Sequence, residues 1–206
     1  MKVYYMCGAD GLSGDEKIRR ALCRYLGDAA DSQEISIFRD RYGKPRTDGR
    51  SEIEFSVTHT GKWWICAVGE AEDGPLGIDA ELRSRRVRRP VTMAERFFSP
   101  AEARLIREMS EKDGSRETTE TAELFLKIWV RKEAYLKYTG RGLGGGMRKF
   151  TVSTYLQEKA GMTGHDGVTE DPQAEYVSLD LSGDLLAVIC RRKNTSDRGI
   201  ELCGMK

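Results

Sequence analysis

Residues 75–82 read Pro-Leu-Gly-Ile-Asp-Ala-Glu-Leu, an apolar stretch with two carboxylates one residue apart, and the chain then runs into Arg83-Ser84-Arg85-Arg86-Val87-Arg88-Arg89. In an extended strand, residues i and i+2 project from one face, so Asp79 and Glu81 point together while Ile78 and Ala80 point the other way. A strand over 76–81 therefore has a chemical face and a core face. Downstream, Trp129-Val-Arg-Lys-Glu-Ala-Tyr-Leu-Lys137 lies inside a long helical pattern, predicted over 121–138. That spacing sets Glu133 and Lys137 on one helix face, with Trp129 a turn earlier. Asp79, Glu81 and Glu133 together offer three oxygen ligands and leave coordination positions open. A magnesium ion that also holds substrate phosphates needs such a set, which points to phosphoryl chemistry. Each fragment has a plainer reading beside this one: a strand-end acid pair is commonly solvated or paired with arginine, and Glu133 with Lys137 is an ordinary helix salt bridge.

Around this centre the pattern alternates between strands and helices. Val3 to Met6 reads as a strand, and Ser13 with Glu16 forms a capping box before Ile18, Ala21, Leu22, Tyr25 and Leu26 recur at helical spacing up to Gly27. A short strand at 35–38 and a turn at 42–45 precede two strands at 54–59 and 63–68, joined by Thr60-Gly61-Lys62. Helices start near Val91 and at Ser99-Pro100, where proline suits the first helical position. A polar loop is expected over 111–120 and a mobile one over 158–173. Further strands are expected at 149–155, 176–181 and 185–190. The fold class is α+β, divided near residue 80 into a lobe over 1–78 and a lobe over 79–206.

Composition narrows the function classes. Of 206 residues, 39% are hydrophobic and 33% charged, an ordinary globular balance. With 34 basic against 33 acidic residues the net charge is +1, so no polyanion partner is implied for the chain as a whole. Cys7, Cys23, Cys66, Cys190 and Cys203 are odd in number and form no C-x-x-C pair, which speaks against a disulfide framework or zinc site and for a reducing compartment. The first residues lack an apolar signal core, and no run reaches the roughly 18 apolar residues of a membrane span. A cytoplasmic protein with no membrane contact is expected.

The ordered series Phe55-Ser-Val-Thr-His-Thr-Gly-Lys-Trp63, Leu76-Gly-Ile-Asp-Ala-Glu81, Arg96-Phe-Phe-Ser-Pro-Ala-Glu102 and Trp129 to Lys137 is followed by Gly140-Arg-Gly-Leu143. It resembles the 4′-phosphopantetheinyl transferase superfamily and, more narrowly, its monomeric surfactin-type branch, over about Tyr42 to Val152. The resemblance implies two similar, pseudo-symmetric α+β lobes with the active site at their interface. It also implies transfer of the phosphopantetheine arm of coenzyme A to a serine of an acyl or peptidyl carrier protein, releasing adenosine 3′,5′-bisphosphate. Carried onto this sequence, Asp79, Glu81 and Glu133 hold Mg²⁺, with Mn²⁺ as a substitute. Lys137 contacts the phosphates, Lys132 is a further phosphate contact, and Glu102 takes the serine proton. Without the resemblance, Glu102 only closes a capping box with Ser99. Lys44 in Tyr-Gly-Lys-Pro, Thr58 and His59 correspond to coenzyme A contacts, and Arg19 or Arg20 on the first helix is placed near the 3′-phosphate. Few residues precede that helix where relatives carry an additional basic segment, so Lys17, Arg19, Arg20 and Arg24 are expected to supply part of that contact.

The arginine run Arg83, Arg85, Arg86, Arg88 and Arg89 follows the acids directly, and an acidic apo carrier protein is the partner it would steer. Two other classes compete with this one. A catalytically silent relative would bind carrier protein alone, and a nucleic-acid module would combine the arginines with Trp63, Trp64 and Trp129. The near-zero net charge disfavours the latter, and no nucleic acid is expected as partner. Both halves of the motif set lie in one chain, which favours a monomer over a site shared between subunits. The glycine-rich segment 140–146 receives no catalytic role.

Overall fold

A computed structural model describes residues 1–8, 11–27, 35–112, 119–142, 146–152, 172–193 and 199–205. Its layers run helix, sheet, sheet, helices. The first sheet has the order β4-β5-β1-β9, from β1 (Lys2–Cys7), β4 (Ile53–Thr60), β5 (Trp63–Glu70) and β9 (Glu201–Gly204). β4 and β5 form a hairpin turned at Gly61, whose positive φ of 54° suits glycine. β9 returns from the far end of the chain to pair parallel with β1. The second sheet, β6-β8-β7, is antiparallel and joins β6 (Leu76–Leu82), β8 (Leu185–Arg192) and β7 (Ala174–Leu179). β2 (Ile37–Arg39) and β3 (Pro45–Thr47) form a separate small hairpin.

The period-2 alternation of each strand sorts its side chains into these layers. On β1 and β5, Tyr4, Met6, Trp64, Cys66 and Val68 pack beneath α1 (Gly14–Leu26), which buries Ile18, Ala21 and Leu22 on that side. Their neighbours Val3, Ile65 and Ala67 face the second sheet and meet Ile78, Ala80 and Ile189. Burial on both faces explains why β5 reads as an almost unbroken apolar run although it lies in an antiparallel pair. The outer face of the second sheet is covered by α2 (Pro90–Phe97), α3 (Pro100–Lys112) and α4 (Thr119–Thr139), with Leu186, Val188 and Cys190 packed among them.

The mixed α+β class expected from the pattern is what the chain adopts. Ser13 and Glu16 make the capping box reciprocally: the Glu16 amide donates to Ser13 Oγ, and the Ser13 amide donates to Glu16 Oε2. The loop expected over 111–120 is helical at both ends, since Glu111 and Lys112 favour helix and α3 runs through them while α4 begins at Thr119; residues 113–118 fall outside the described residues. The strand expected over 149–155 is a correction: Met147–Lys149 forms a 3₁₀ turn and residues 150–152 lie in no ladder, because their backbone groups bond to buried side chains instead. Residues 153–155, most of the loop expected over 158–173 and Leu143 fall outside the described residues. Strands β3 and β9 were not expected, since each is only a few residues long and one opens on proline. Among the described residues no helix is long and apolar enough to cross a membrane.

Candidate functional site

The acids meet where α4 crosses β6, and Gly77 permits the crossing. A Cβ at residue 77 would stand 2.0 Å from the Ala134 carbonyl oxygen and 2.5 Å from the Tyr138 amide nitrogen, so any side chain there forces strand and helix apart. Because residue 77 faces the helix, residues 79 and 81 face it too. Lys137 Nζ closes the crossing, donating to the Ile78 carbonyl oxygen at 2.9 Å and to Asp79 Oδ1 at 2.8 Å. Glu133 lies one turn earlier on the same helix face.

Along its edge, β6 meets the edge of β4 through hydroxyl groups rather than a backbone ladder. Ser56 Oγ accepts from the Ile78 amide at 3.1 Å, Thr58 Oγ1 donates to Asp79 Oδ1 at 3.0 Å, and Thr60 Oγ1 donates to Glu81 Oε2 at 3.0 Å. The three alternate residues are buried, so this polar face of β4 is the seam between the two sheets. It holds both acids in fixed positions.

Charge at the crossing is unbalanced. Asp79 is paired with Lys137, and Glu81 Oε1 is paired with Arg85. Among the described residues Glu133 has no such close partner of its own; burial, then the neighbouring Asp79 carboxylate, pushes its pKa up to about 7 against the weaker pull of Lys137 and Arg85. Three carboxylates thus share two cations. Among the described residues no three His, Cys, Asp or Glu side chains lie, as they stand, in an arrangement that could hold a metal ion. The donor set is nonetheless all hard oxygen with one uncompensated carboxylate, which suits a hard divalent cation and not a soft one.

A cavity of about 240 Å³ opens beside the crossing, lined among others by Tyr42, Lys44, Ser56, Glu133, Lys137 and Gly142. Lys44 is one of its walls and a structural tie. Its ammonium donates to Glu54 Oε1 at 2.7 Å and to the carbonyl oxygens of Leu76 at 3.1 Å and Lys137 at 3.0 Å, joining β4, β6 and the end of α4. Burial lowers its pKa, and the Glu54 carboxylate opposes that shift. Arg46 shares Glu54, so the carboxylate serves two cations.

Glu102 and Lys132 are brought to each other instead of to the three acids. Both are wholly buried, with Lys132 Nζ 2.7 Å from Glu102 Oε2. The Ser99 amide and hydroxyl each donate to that same oxygen at 3.0 Å, completing a capping box, and the Val152 amide donates to Oε1 at 2.8 Å. Lys132 also donates to the carbonyl oxygens of Met147, at 2.8 Å, and Phe150, and stands over the Phe150 ring. Its three protons have three acceptors. In this conformation neither group is open to a substrate.

His59 is exposed, on the opposite face of β4 from Thr58 and Thr60. Arg19, half-buried, donates to the Ile35 carbonyl oxygen at 3.0 Å and so ties α1 to the segment before β2. The arginine run divides: Arg83 pairs with Glu123 on α4 at 2.9 Å and Arg85 turns back to Glu81, whereas Arg86 and Arg88 are exposed. Arg89 caps α2 in the left-handed region at φ 54°.

A sequence model of the 4′-phosphopantetheinyl transferase superfamily matches residues 75–188, from the start of β6 to the middle of β8 and therefore across the acids and α4. The chain belongs to this superfamily. A 4′-phosphopantetheinyl transferase of Bacillus subtilis is 32% identical over 141 residues, covering 68% of this chain and 56% of the relative. The 4′-phosphopantetheinyl transferase Sfp of Bacillus subtilis strain 168 is 30% identical over 143 residues, with the same coverage of each. The 4′-phosphopantetheinyl transferase psf-1 of Bacillus pumilus is 31% identical over 177 residues, covering 84% of this chain and 68% of the relative. The resemblance to the surfactin-type branch is borne out by these matches. The chain spans about half the length, 56%, of the first two.

For a phosphopantetheinyl transferase superfamily member, three supporting residues were not singled out by sequence: Gly77, Ser56 and Arg85 as an inward-facing group. Gly77 stood in the quoted motif, and a glycine inside a strand signals close backbone approach. The alternation Ser56, Thr58, Thr60 was a visible signal for the seam. Nothing local marks which arginine of the run turns inward.

Proposed function

We propose that this chain transfers the phosphopantetheine arm of coenzyme A onto a serine of an acyl or peptidyl carrier protein, with Asp79, Glu81 and Glu133 holding Mg²⁺ or Mn²⁺. The observation that carries the reading is the convergence of three carboxylates and Lys137 at the α4–β6 crossing, beside a cavity and within the matched region. A divalent ion bound there would neutralise charge on the pyrophosphate oxygens and on the leaving group. The chain's own residues do the rest. Lys137 places a cation at the phosphate end of the cavity, Thr58 and Thr60 hold the carboxylates in orientation, and the walls at Tyr42, Lys44 and Gly142 receive coenzyme A. His59, exposed at the end of β4, is assigned to its phosphates, and Arg19 to the 3′-phosphate end.

The same reading gives Glu102 the serine proton and Lys132 a phosphate contact, and either role requires the two to leave their mutual pair. Glu102→Gln separates the possibilities. Loss of turnover at an unchanged melting temperature supports a base, and a fall in both supports a buried structural pair. The partner is an acidic carrier protein steered by the arginine run, chiefly through Arg86 and Arg88, since Arg83 and Arg85 are engaged within the chain. The reading has the chain act as a cytoplasmic monomer of two pseudo-symmetric lobes, 1–78 and 79–206, with the site between them.

The test is to incubate the protein with coenzyme A, magnesium and a panel of apo carrier proteins and to follow carrier mass by intact mass spectrometry. A mass gain of one phosphopantetheine arm, lost on chelation and in Glu133→Gln, is the expected result. No gain on any carrier together with no binding of coenzyme A overturns the reading.

A further inference from the structure

We propose that Arg85 is an internal counter-ion for the carboxylate group, resting on Glu81 in the metal-free protein and leaving it when a divalent cation binds, so that Arg85 sets how tightly the metal is held. The inference rests on the assignment of Asp79, Glu81 and Glu133 as metal ligands.

Within a run of like charges Arg85 takes a direction of its own. Arg83, two residues earlier, reaches Glu123 on α4 at 2.9 Å, and Lys127 shares that carboxylate at 2.9 Å. Arg85 instead bends back four residues to Glu81 Oε1, while Thr60 Oγ1 occupies Oε2 at 3.0 Å, so both oxygens of Glu81 are in use. A cation on Glu81 must compete with the guanidinium, because two positive groups on one carboxylate oxygen repel.

The side chain has freedom to yield. Arg85 is 45% exposed, against 15% for Glu81. Its backbone is held by a bond from its own amide to the Leu82 carbonyl oxygen at 3.0 Å, and the turn is anchored by the Arg83 amide on the Asp184 carbonyl oxygen at 2.8 Å. Motion is therefore confined to the side chain. A second resting place adjoins the first: the guanidinium carbon lies 5.9 Å from the centre of the Trp129 ring, one helical turn before Glu133. Released from Glu81, the guanidinium keeps the ring.

This arrangement favours divalent ions. A monovalent cation brings no more charge than the guanidinium and lacks its directed N–H groups, so it gains little by displacement, whereas a divalent ion doubles the Coulomb attraction to the same carboxylates. With no metal bound, the arginine offsets negative charge beside Asp79 and Glu133, on which Lys137 also acts.

The experiment is calorimetric titration of Mn²⁺ into the full chain at fixed ionic strength, for wild type, Arg85→Ala, Arg85→Lys, Arg83→Ala and Glu133→Gln, with the melting temperature of each confirming a folded protein. Arg85→Ala is expected to bind Mn²⁺ about three- to fivefold more tightly than wild type, the scale of a partly exposed ion pair. Arg85→Lys should fall between the two, and Arg83→Ala, which removes the same charge from a different partner, should match wild type. Unchanged or weaker binding by Arg85→Ala, or equal tightening by Arg83→Ala, overturns the proposal while leaving the metal assignment standing if Glu133→Gln still weakens binding. No Mn²⁺ binding by any of the five proteins overturns both.

Discussion

Two acidic centres lie on the helical side of the molecule, and they are built on opposite terms. Glu102 and Lys132 have no exposure, one charge of each sign, and a protein partner for each carboxylate oxygen and each ammonium proton. Asp79, Glu81 and Glu133 outnumber the cations paired with them, and Glu133, the one that lines the cavity, has its pKa pushed up to about 7. A buried pair with every bond made fastens the segment 147–152 to α3 and α4. A group with surplus negative charge is the one that a further cation would favour, as the proposed reading requires. Charge matching, more than burial or residue type, tells the two kinds of acid apart.

The comparison can be broken most severely at the closed pair. Lys132→Ala leaves Glu102 as a buried, unpaired charge, which should cost about 3–5 kcal/mol and lower the melting temperature by roughly 6–20 °C. The double replacement Glu102→Leu with Lys132→Met should recover much of that loss, because two apolar groups leave no charge uncompensated. If the single and double variants melt alike, the pair is not what holds the segment.

Next in size is the seam. Ser56→Ala deprives the buried Ile78 amide of its acceptor and should cost about 1–3 kcal/mol by chemical denaturation. A denaturation midpoint equal to wild type would mean that water or a shifted strand replaces the hydroxyl.

The open group predicts the reverse sign. Glu133 holds its proton more tightly folded, at about 7, than in an unfolded chain, where a glutamate has its ordinary value of 4.5, so its ionisation opposes folding. That penalty is absent below about pH 4.5, grows between 4.5 and 7, and is complete above 7. Glu133→Gln should therefore stabilise the metal-free protein at pH 8 by about 1–2 kcal/mol after discounting for partial exposure, and by much less at pH 5. Melting curves at the two pH values check this, and a destabilised variant at pH 8 contradicts it. The smallest effect is expected at the surface: Arg83→Ala should change stability by less than about 1 kcal/mol, because its pair with Glu123 is exposed and Lys127 remains on that carboxylate.

What could be read in advance followed the range of each interaction. The spacing of Asp79 and Glu81 on a strand, and of Glu133 and Lys137 on a helix, is local, and the helix and strand periods placed each pair on a common face. The Ser99–Glu102 box was legible for the same reason. The partnership of Glu102 with Lys132 spans thirty positions and depends on how α3 lies against α4, so a catalytic reading and a structural one looked alike. Gly77 was visible as a glycine, but the carbonyl that excludes a side chain there belongs to Ala134 on another element. Strand β9 pairs with β1 across almost the whole chain, and no pattern within four residues announces that. The arginine run was visible as a patch of charge, while its division into inward and outward members depends on the turn after β6 and on Trp129.

The most direct measurement compares phosphopantetheine transfer from coenzyme A to an apo carrier protein by wild type and Glu133→Gln, at matched folded fraction and across a magnesium titration. The account predicts magnesium-dependent transfer by wild type and, from the variant, none at any magnesium concentration although it melts at least as high at pH 8. Transfer by Glu133→Gln with the wild-type magnesium dependence would contradict it.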